Sequence, residues 1–412
     1  MKTYYKNIFL LFIIMMLFLF AGCRNPIIEQ LQKVEPDTQS TEKPKKETED
    51  AVPVKEEIIS NKNIIISAVG DIMVHDNEIK AAYDSKSDTY KFSSFFTDII
   101  PELKKTDLLI GNLETTLSGK EKKYSGYPMF NCPESILDAL KTSGFQVLTT
   151  ANNHSLDRKE YGVLKTIDYL AKAEIPHTGT AVSSKERDNL LMIERKGMKV
   201  VILAYTYGTN GMEQYVDQSK LTYLVNYINE EKIKKDIENA KKSKADIIIV
   251  SLHWGIEYTR QPEKQQREMA KRIIQYGGDV IFGSHPHMIQ PMERVSVQAE
   301  DGSMREGLVV YSMGNFISDQ RTQYKDSGMI VNVAMEKDMN TGKLSFKNIT
   351  YVPTWVYRYT KEGKMQYRVL DAGKYTFGEG TTLLNPEGRN RVKQVWKETT
   401  GLIGEKTGSP LK

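Results

Sequence analysis

Five short apolar runs in this chain each end in a cluster of side chains that can bind metal ions. The runs and clusters are Ile64–Val69 before Gly70–Asp71, Leu108–Ile110 before Gly111–Asn112–Leu113–Glu114, Phe145–Leu148 before Asn152–Asn153–His154, Ile247–Val250 before His253–Trp254–Gly255–Ile256–Glu257, and Val280–Phe282 before Gly283–Ser284–His285–Pro286–His287. Imidazole nitrogen, carboxylate oxygen and amide oxygen together suit Zn, Mn or Fe at a catalytic site. The repetition of such clusters predicts one metal-assisted site with one or two ions.

Four of the six histidines of the chain lie in these clusters. His285 and His287 are separated by a single proline, and alternate side chains of an extended segment share a face. The two rings could therefore bind two neighbouring metals or one metal jointly. His253 and Asp71 add a further nitrogen and oxygen ligand, which strengthens the metal interpretation.

The elements that must position these side chains form an α/β pattern. Short runs rich in Ile and Val are typical of buried strands, and ligands of α/β proteins bind at the carboxyl ends of such strands. Apolar spacing predicts helices over Pro133–Leu140, Lys159–Lys172, Asn229–Lys242, Glu263–Gln275 and Pro386–Thr399. Further strands are predicted at Val200–Ala204, Leu308–Tyr311, Gly328–Met335 and Leu344–Val352, the last two antiparallel. Alternating strands and helices indicate an α/β fold.

The N-terminus is typical of an exported protein. Lys2 and Lys6 precede the apolar stretch Ile8–Phe20, and the small residues Ala21 and Gly22 lead into Cys23. This pattern predicts a secretory signal over residues 1–23. It also resembles a bacterial lipobox, in which Cys23 would carry lipid, although Phe20 replaces the usual Leu. The alternative is an uncleaved N-terminal anchor, and both interpretations place the rest of the chain on the extracytoplasmic face of the cell membrane.

Composition divides the remaining chain into three parts. Residues 24–60 are dominated by charged and polar residues with little to bury, which predicts a disordered linker. Residues 61–357 are the predicted main domain and residues 358–412 a C-terminal extension. The net charge of +4 gives no support for nucleic-acid binding. With Cys23 lipidated, Cys132 has no partner for a disulfide and is predicted to be a small buried residue.

Six motifs follow one another between residues 64 and 335. They are Gly70–Asp71–Ile72–Met73, Gly111–Asn112–Leu113–Glu114, Ala151–Asn152–Asn153–His154, Leu252–His253–Trp254–Gly255–Ile256–Glu257, Gly283–Ser284–His285–Pro286–His287 and Tyr311–Ser312–Met313–Gly314–Asn315–Phe316. This series resembles the CapA (PgsA-type) family of poly-γ-glutamate capsule synthesis proteins, which is similar to the calcineurin-like metallophosphoesterases. The resemblance implies a four-layer α/β/β/α sandwich with a dinuclear site at the strand ends.

The resemblance also implies roles for single residues. The matched metal-binding positions are Asp71, Asn153, His253, His285 and His287. His154 matches the catalytic histidine, a general acid towards the leaving group, while the metal activates a water as nucleophile. Asp157 could orient the His154 ring, or it could be a charge at a helix N-terminus.

Two positions depart from the phosphoesterase pattern. Met73 stands where a histidine is usual, and a thioether binds hard metals poorly; His75 could substitute or be a loop residue. Asn112 stands where a bridging Asp is usual, so that Glu114 takes over the bridge, or the site holds one metal or none. Glu257 could be a ligand, a base or the partner of a cation.

Three functions are compatible with these residues. The first is a membrane-tethered component of poly-γ-glutamate capsule synthesis or export, with a hydrolase-like metal site. Its partners would be membrane lipid through Cys23, other capsule-synthesis membrane subunits, and poly-γ-glutamate or a similar polymer. In the resembled family those other subunits carry the ATP-dependent ligase and transport steps, and this chain contains no P-loop. The second function is metal-dependent hydrolysis of another surface phosphoester or amide, and the third is non-catalytic binding of a polyanion.

Overall fold

The computed structural model describes residues 60–378 and 381–404. The predicted signal peptide, Cys23 and the predicted linker up to residue 59 lie outside the described residues. Within the described part of the chain, no helix has both the length and the hydrophobicity that a membrane crossing requires.

Sixteen strands are found in the described residues. In chain order they are β1 (Lys62–Ile72), β2 (Tyr83–Asp84), β3 (Thr89–Tyr90), β4 (Leu108–Leu113), β5 (Val147–Thr149), β6 (His177–Thr178), β7 (Leu191–Arg195), β8 (Met198–Thr206), β9 (Ile247–His253), β10 (Val280–Ser284), β11 (Met292–Gln298), β12 (Met304–Val310), β13 (Asn315–Ile317), β14 (Ser327–Lys337), β15 (Leu344–Lys361) and β16 (Lys364–Asp371).

Helices alternate with these strands over most of the described chain. The α-helices are α1 (Asp76–Ala82), α2 (Ser93–Phe96), α3 (Ile100–Leu103), α4 (Ile136–Ser143), α5 (Lys159–Lys172), α6 (Ser184–Asp188), α7 (Gln218–Leu224), α8 (Glu230–Lys242), α9 (Lys264–Tyr276), α10 (Ala372–Phe377) and α11 (Pro386–Ile403). Short 3-10 turns lie at Lys120–Lys122, Met212–Tyr215 and Thr381–Leu383.

The strands form two large sheets. The first has the order β16-β15-β14-β1-β4-β5-β6, and β13 also pairs with β1. Its strands β1, β4, β5 and β6 are parallel, whereas β14 to β16 are antiparallel. The second sheet has the order β11-β12-β10-β9-β8-β7, with a parallel centre and antiparallel edges. In both sheets the parallel strands β1, β4, β9 and β10 bring the predicted ligand clusters to their carboxyl ends.

The two sheets pack face to face, and helices cover their outer faces. Ile66 of β1, Ile249 of β9 and Phe282 of β10 belong to one buried cluster between the sheets. A second cluster joins the outer face of the first sheet to α2 and α4, and a third joins the outer face of the second sheet to α8 and α9. The predicted four-layer α/β/β/α arrangement is confirmed.

Most of the predicted elements are found at or near their expected bounds. All five strands that precede the ligand clusters are present, and the helix predicted at Lys159–Lys172 has those bounds. The helix predicted at Pro133–Leu140 is displaced, because the Cys132 amide donates to Thr116 and holds the entering chain in a non-helical conformation. That helix begins at Ile136 and ends before Gly144, whose φ of +104° a glycine tolerates best. Cys132 is buried, as predicted.

The segment after residue 357 continues the first sheet. Strand β15 runs from Leu344 to Lys361 through the predicted domain boundary, and β16 pairs with it. Helices α10 and α11 pack on the same end of the sheet through a cluster that includes Trp355, Leu370 and Val395. The side chains after residue 357 therefore contribute to a core shared with the preceding residues.

One close backbone approach fixes the end of β1. The Asp71 amide donates to the Gly314 carbonyl oxygen at 2.9 Å. A Cβ atom at Gly70 would clash with that same oxygen. Only glycine at position 70 therefore lets β13 come close enough to set the position of Asp71.

We expect Gly70→Ala to lower the free energy of unfolding by about 1–3 kcal/mol, since the methyl group must push the Gly314 backbone away. Chemical denaturation of the purified protein measures this loss. Gly401→Ala is the matched control, because no atom lies within 4 Å of a Cβ on that residue of α11, and alanine favours a helix. Equal stabilities of the two variants would contradict the close-approach argument.

Candidate metal centre

The predicted ligands meet where the carboxyl ends of the two sheets adjoin. Asp71 of β1 pairs in register with Asn112 of β4, and Glu114 follows β4 directly. From the second sheet, His253 ends β9 and pairs in register with Ser284, the last residue of β10. The carboxyl ends of these strands thus bring residues from distant parts of the chain to one place, as the strand-end rule (ligands bind at the carboxyl ends of strands in α/β proteins) predicts.

His287 lies at the middle of the cluster. Its Nδ1 is 3.1 Å from both Asp71 Oδ2 and Asn315 Oδ1, two oxygens that can only accept a hydrogen bond there. The proton therefore sits on Nδ1, which leaves the Nε2 lone pair free. That Nε2 faces Glu114 Oε1 at 3.8 Å and Glu257 Oε1 at 4.0 Å. A carboxylate that fixes the tautomer of a histidine in this way is typical of metal sites.

Two groups of potential ligands share this histidine. Asp71, Glu114 and His287 offer ligand atoms that lie within 4.8 Å of one another, and so do Glu257, His285 and His287. All of these side chains are buried except Glu257, which is half-buried. The arrangement can hold one ion or two neighbouring ions.

His253 approaches the same centre from β9. Its Nε2 is 2.8 Å from Asn153 Oδ1 and 3.6 Å from Glu114 Oε1. Its Nδ1 is 2.9 Å from the Ser284 hydroxyl, which holds the ring in place. The structure therefore brings His253 and Asn153 together with Glu114, as the sequence predicts.

The backbone at the paired histidines is not extended. His285 has a φ of +97° and His287 a φ of +56°, a region that L-residues rarely adopt. The expectation that the two rings share a face of an extended segment is wrong, because the chain turns at both residues. Their ring centroids are nevertheless 6.0 Å apart, and such strained conformations are common at functional sites.

The electrostatics of the centre favour a bound cation. Burial, and next the charge of Asp71, raise the pKa of the Glu114 carboxyl well above its usual value. Burial, and next the neighbouring ring of His285, lower the pKa of His253 well below its usual value. The pKa of His285 falls to about 3, mainly through burial. Because these two histidines stay neutral, they supply no positive charge to the buried acidic groups.

Three buried atoms of the centre have no hydrogen-bond partner among the described residues. They are both carboxylate oxygens of Glu114 and Nδ1 of His285. Within the same residues, the ion pairs of Asp71 and Glu114 involve only histidines, and neither carboxylate meets a Lys or Arg. A buried polar atom without a partner is costly. Oxygen and imidazole donors around such a space fit a divalent transition metal.

Asn112 is oriented as a support for Asp71. Its Nδ2 donates to Asp71 Oδ1 at 2.9 Å, whereas its Oδ1 faces Asn152 and Thr149 at 3.4 Å. With its oxygen turned away from the histidines, the amide positions Asp71 and offers no ligand atom in this orientation. Of the predicted alternatives for the bridge, the geometry favours Glu114.

His75 does not take the role of the histidine that phosphoesterases carry at the position of Met73. Its backbone amide donates to Glu78 Oε2 at 2.7 Å, and its Nδ1 accepts from the Asp319 amide at 3.3 Å. Neither group of ligand atoms found in the described residues includes it. Met73 itself is buried.

His154 and Asp157 form a buried pair beside the centre. His154 Nδ1 donates to Asp157 Oδ2 at 2.8 Å, and the Phe130 amide donates to the same oxygen at 2.7 Å. The Phe130 ring packs edge-on against the His154 ring at 4.7 Å. Burial raises the pKa of Asp157, although the His154 hydrogen bond opposes this. The geometry favours the orienting role of Asp157, and Nε2 of His154 is left to exchange a proton.

Two residues of the centre, Ser284 and Tyr207, were not predicted from the sequence. Ser284 orients His253, and Asn315, which lies in the last of the quoted motifs, orients His287. Tyr207 packs its ring 4.5 Å from His285. Because Tyr207 directly follows β8, the strand-end rule could have identified it.

Two other residues lie in the structural framework. Trp254 is buried in the core, and its Nε1 donates to the Tyr311 carbonyl at 3.0 Å. His177 lies in β6, which pairs with β5.

Comparisons of the sequence with known proteins give a family match. A family model described as "Bacterial capsule synthesis protein PGA_cap" matches residues 65–320. The capsule biosynthesis protein CapA of Bacillus anthracis is 30% identical over 295 residues, which cover 69% of this chain and 66% of that protein. The PGA biosynthesis protein CapA of Bacillus subtilis (strain 168) is 29% identical over 269 residues, 64% of this chain and 66% of that protein. The match thus spans slightly less than two thirds of both relatives.

The comparison with solved structures finds similar chains at low sequence identity. The NAD nucleotidase NadN of Haemophilus influenzae has a TM-score of 0.44 and 12% identity, covering 82% of this chain and 63% of that protein. The calcineurin-like phosphoesterase YfkN of Bacillus subtilis has a TM-score of 0.41 and 15% identity, covering 83% of this chain and 99% of that structure.

We expect Glu114→Gln to stabilise the metal-stripped protein, because the change removes a carboxyl whose raised pKa lowers the stability of the fold at neutral pH. The same variant should gain little stability when Mn, Fe or Zn is added, whereas the wild type should gain stability by mass action. Melting temperatures with chelator and with each metal, together with elemental analysis, measure both effects.

Glu362→Gln is the control, because Glu362 is exposed in the turn between β15 and β16. It should behave like the wild type in both conditions. A Glu114→Gln protein that binds as much metal as the wild type, and is no more stable without it, would contradict the assignment of the centre.

Proposed function

The chain belongs to the bacterial capsule synthesis protein (PGA_cap) family, and from this premise we propose that it takes part in poly-γ-glutamate capsule synthesis or export. In this proposal it is tethered to the outer face of the cell membrane and acts on the polymer through a metal-dependent hydrolytic site. The names of the two Bacillus relatives, which refer to capsule and PGA biosynthesis, support the choice of polymer.

The observation that carries the hydrolytic site is the buried carboxylate of Glu114, whose two oxygens have no partner among the described residues. It lies between His253 and His287. Asp71 and His287 would hold an ion together with Glu114, and His285 and Glu257 would hold the same or a second ion. When bound, such an ion supplies Lewis-acid activation of a water molecule and of the substrate oxygen.

The residues around this cluster support hydrolysis over simple docking. Asp157 fixes the His154 ring, so that His154 Nε2 can donate a proton to a leaving nitrogen or oxygen. Asn315 and Asp71 fix His287, and Ser284 fixes His253. A docking pocket would need no buried His–Asp pair beside its ligands.

We expect His154→Ala to abolish or strongly reduce polymer in the producing cell, while the purified protein keeps its full metal content. Loss of a general acid typically lowers a rate by about 10²–10⁴-fold. Asp157→Asn should have a smaller effect in the same direction, because the His154 ring remains. Polymer yield and cleavage of γ-linked glutamate oligomers are the measurements.

His177→Gln is the matched control, since His177 lies in β6 and not among the site residues. Normal polymer in the His154→Ala strain would favour a non-catalytic scaffold. Cleavage of a model phosphodiester but not of γ-linked oligomers, lost in His154→Ala, would instead favour a phosphoesterase.

Membrane attachment in this proposal depends on lipid at Cys23. We expect Cys23→Ser to abolish fatty-acid labelling and to move the protein from the membrane fraction into the medium, whereas Cys132→Ser, a change at a buried thiol, should leave it labelled and membrane-bound. Cell fractionation and labelling with a radioactive fatty acid measure attachment. Unchanged fractionation and no label in the wild type would favour an uncleaved N-terminal anchor.

A further inference from the structure

A lysine lies beside the metal centre without an acidic partner. Lys325 is half-buried, and its Nζ lies 3.9 Å from the centroid of the Tyr258 ring. Among the described residues, no carboxylate pairs with this ammonium group at ion-pair distance. A partly desolvated cation over an aromatic face is stabilised modestly by the ring, and the rest of its charge remains available to an anion.

Tyr258 places this ammonium group at the edge of the centre. The Tyr258 ring lies 5.9 Å from the His287 ring, and its backbone amide donates to the Pro286 carbonyl at 2.9 Å. Tyr258 also follows Glu257 directly in sequence. A substrate bound at His287 and Glu257 would therefore lie near Lys325.

The backbone that carries Lys325 is held rigidly. The Lys325 carbonyl accepts a hydrogen bond from Asn315 Nδ2 at 2.8 Å, and Asn315 in turn contacts His287. The next residue, Asp326, accepts hydrogen bonds from Arg391 Nε at 3.0 Å and Nη2 at 2.5 Å, and from Trp355 Nε1 at 3.0 Å. The backbone at Lys325 is thus fixed before a ligand arrives, and the Tyr258 ring is the contact of its ammonium group.

The charge pattern indicates what the lysine binds. An ammonium group with no carboxylate at ion-pair distance can bind an anionic group of a ligand. A γ-linked glutamate chain carries one free carboxylate on every residue, so that a bond placed at the metal centre has carboxylates on both sides.

We propose that Lys325 and Tyr258 form a subsite that binds a free carboxylate of the γ-linked chain next to the metal centre. Lys325 is then a specificity-determining residue that distinguishes a polyanionic chain from a neutral one. This assignment rests on the proposed function, because it names the group by which the same site selects its substrate.

The test compares two ligands of equal length on the metal-loaded full chain in detergent. One is a fluorescent γ-linked glutamate oligomer, and the other is the same oligomer with its free carboxylates converted to carboxamides. Lys325→Gln should weaken binding of the carboxylate oligomer about ten-fold, the loss expected for one charge-assisted hydrogen bond. Binding of the carboxamide oligomer should not change.

Two further variants make the test specific. Lys325→Arg should keep most of the affinity, since it keeps the charge. Lys343→Gln, at an exposed lysine of the turn between β14 and β15, should match the wild type. Metal content and melting temperature of Lys325→Gln should equal those of the wild type, because Asn315 bonds to the backbone of Lys325 and not to its side chain.

The outcomes separate the subsite from the proposed function. If the wild type binds the carboxylate oligomer and Lys325→Gln binds it equally well, or loses both ligands equally, the subsite is overturned while the proposed function stands. If the wild type binds neither oligomer, the polymer assignment and the carboxylate subsite both fail. A selective loss for the carboxylate oligomer supports both.

Discussion

The structure depends on two buried acidic groups that no Lys or Arg among the described residues pairs with. Asp71 and Glu114 are fully buried at the carboxyl ends of adjacent strands, and the described residues around them offer only histidines as positive partners. Without a bound ion this arrangement is unfavourable, since a buried carboxylate without a partner costs free energy. A bound divalent ion would remove this cost, which would link metal binding to completion of the fold.

The centre exists because two sheets meet at their carboxyl ends. Asp71 and Glu114 come from the first sheet, and His253 and His287 come from the end of the second. Glycines permit the necessary approach of the backbones: a Cβ at Gly283 would clash with the Tyr311 carbonyl, as one at Gly70 would with Gly314. Ligand geometry is therefore set by main-chain packing, and side chains such as Asn315 and Ser284 only adjust the ring orientations.

Local patterns in the sequence were sufficient for the α/β class, most helices and the group of ligands, whereas the four layers were implied by the family resemblance. Strands of Ile and Val followed by polar clusters are local signals, and the strand-end rule converts them into a common site. Features that depend on distant contacts could not be read in this way. The turn at His285 and His287 is imposed by surrounding packing, the amide orientation of Asn112 by Asp71 and Asn152, and the placement of Lys325 by a helix that begins only at Pro386.

The C-terminal helix α11 bears on the stage of synthesis at which the centre can take its final arrangement. Arg391 of this helix fixes Asp326, and the neighbouring residue Lys325 holds Asn315 through its carbonyl oxygen. Strand β14, which follows this loop, is also the antiparallel neighbour of β1. The pairing of strand β1 with β14 and the contact of Asn315 with His287 thus both depend on segments that are synthesised late. A nascent chain that still lacks its last helix also lacks these contacts, so that the arrangement of the centre would be completed only once the whole polypeptide has been made.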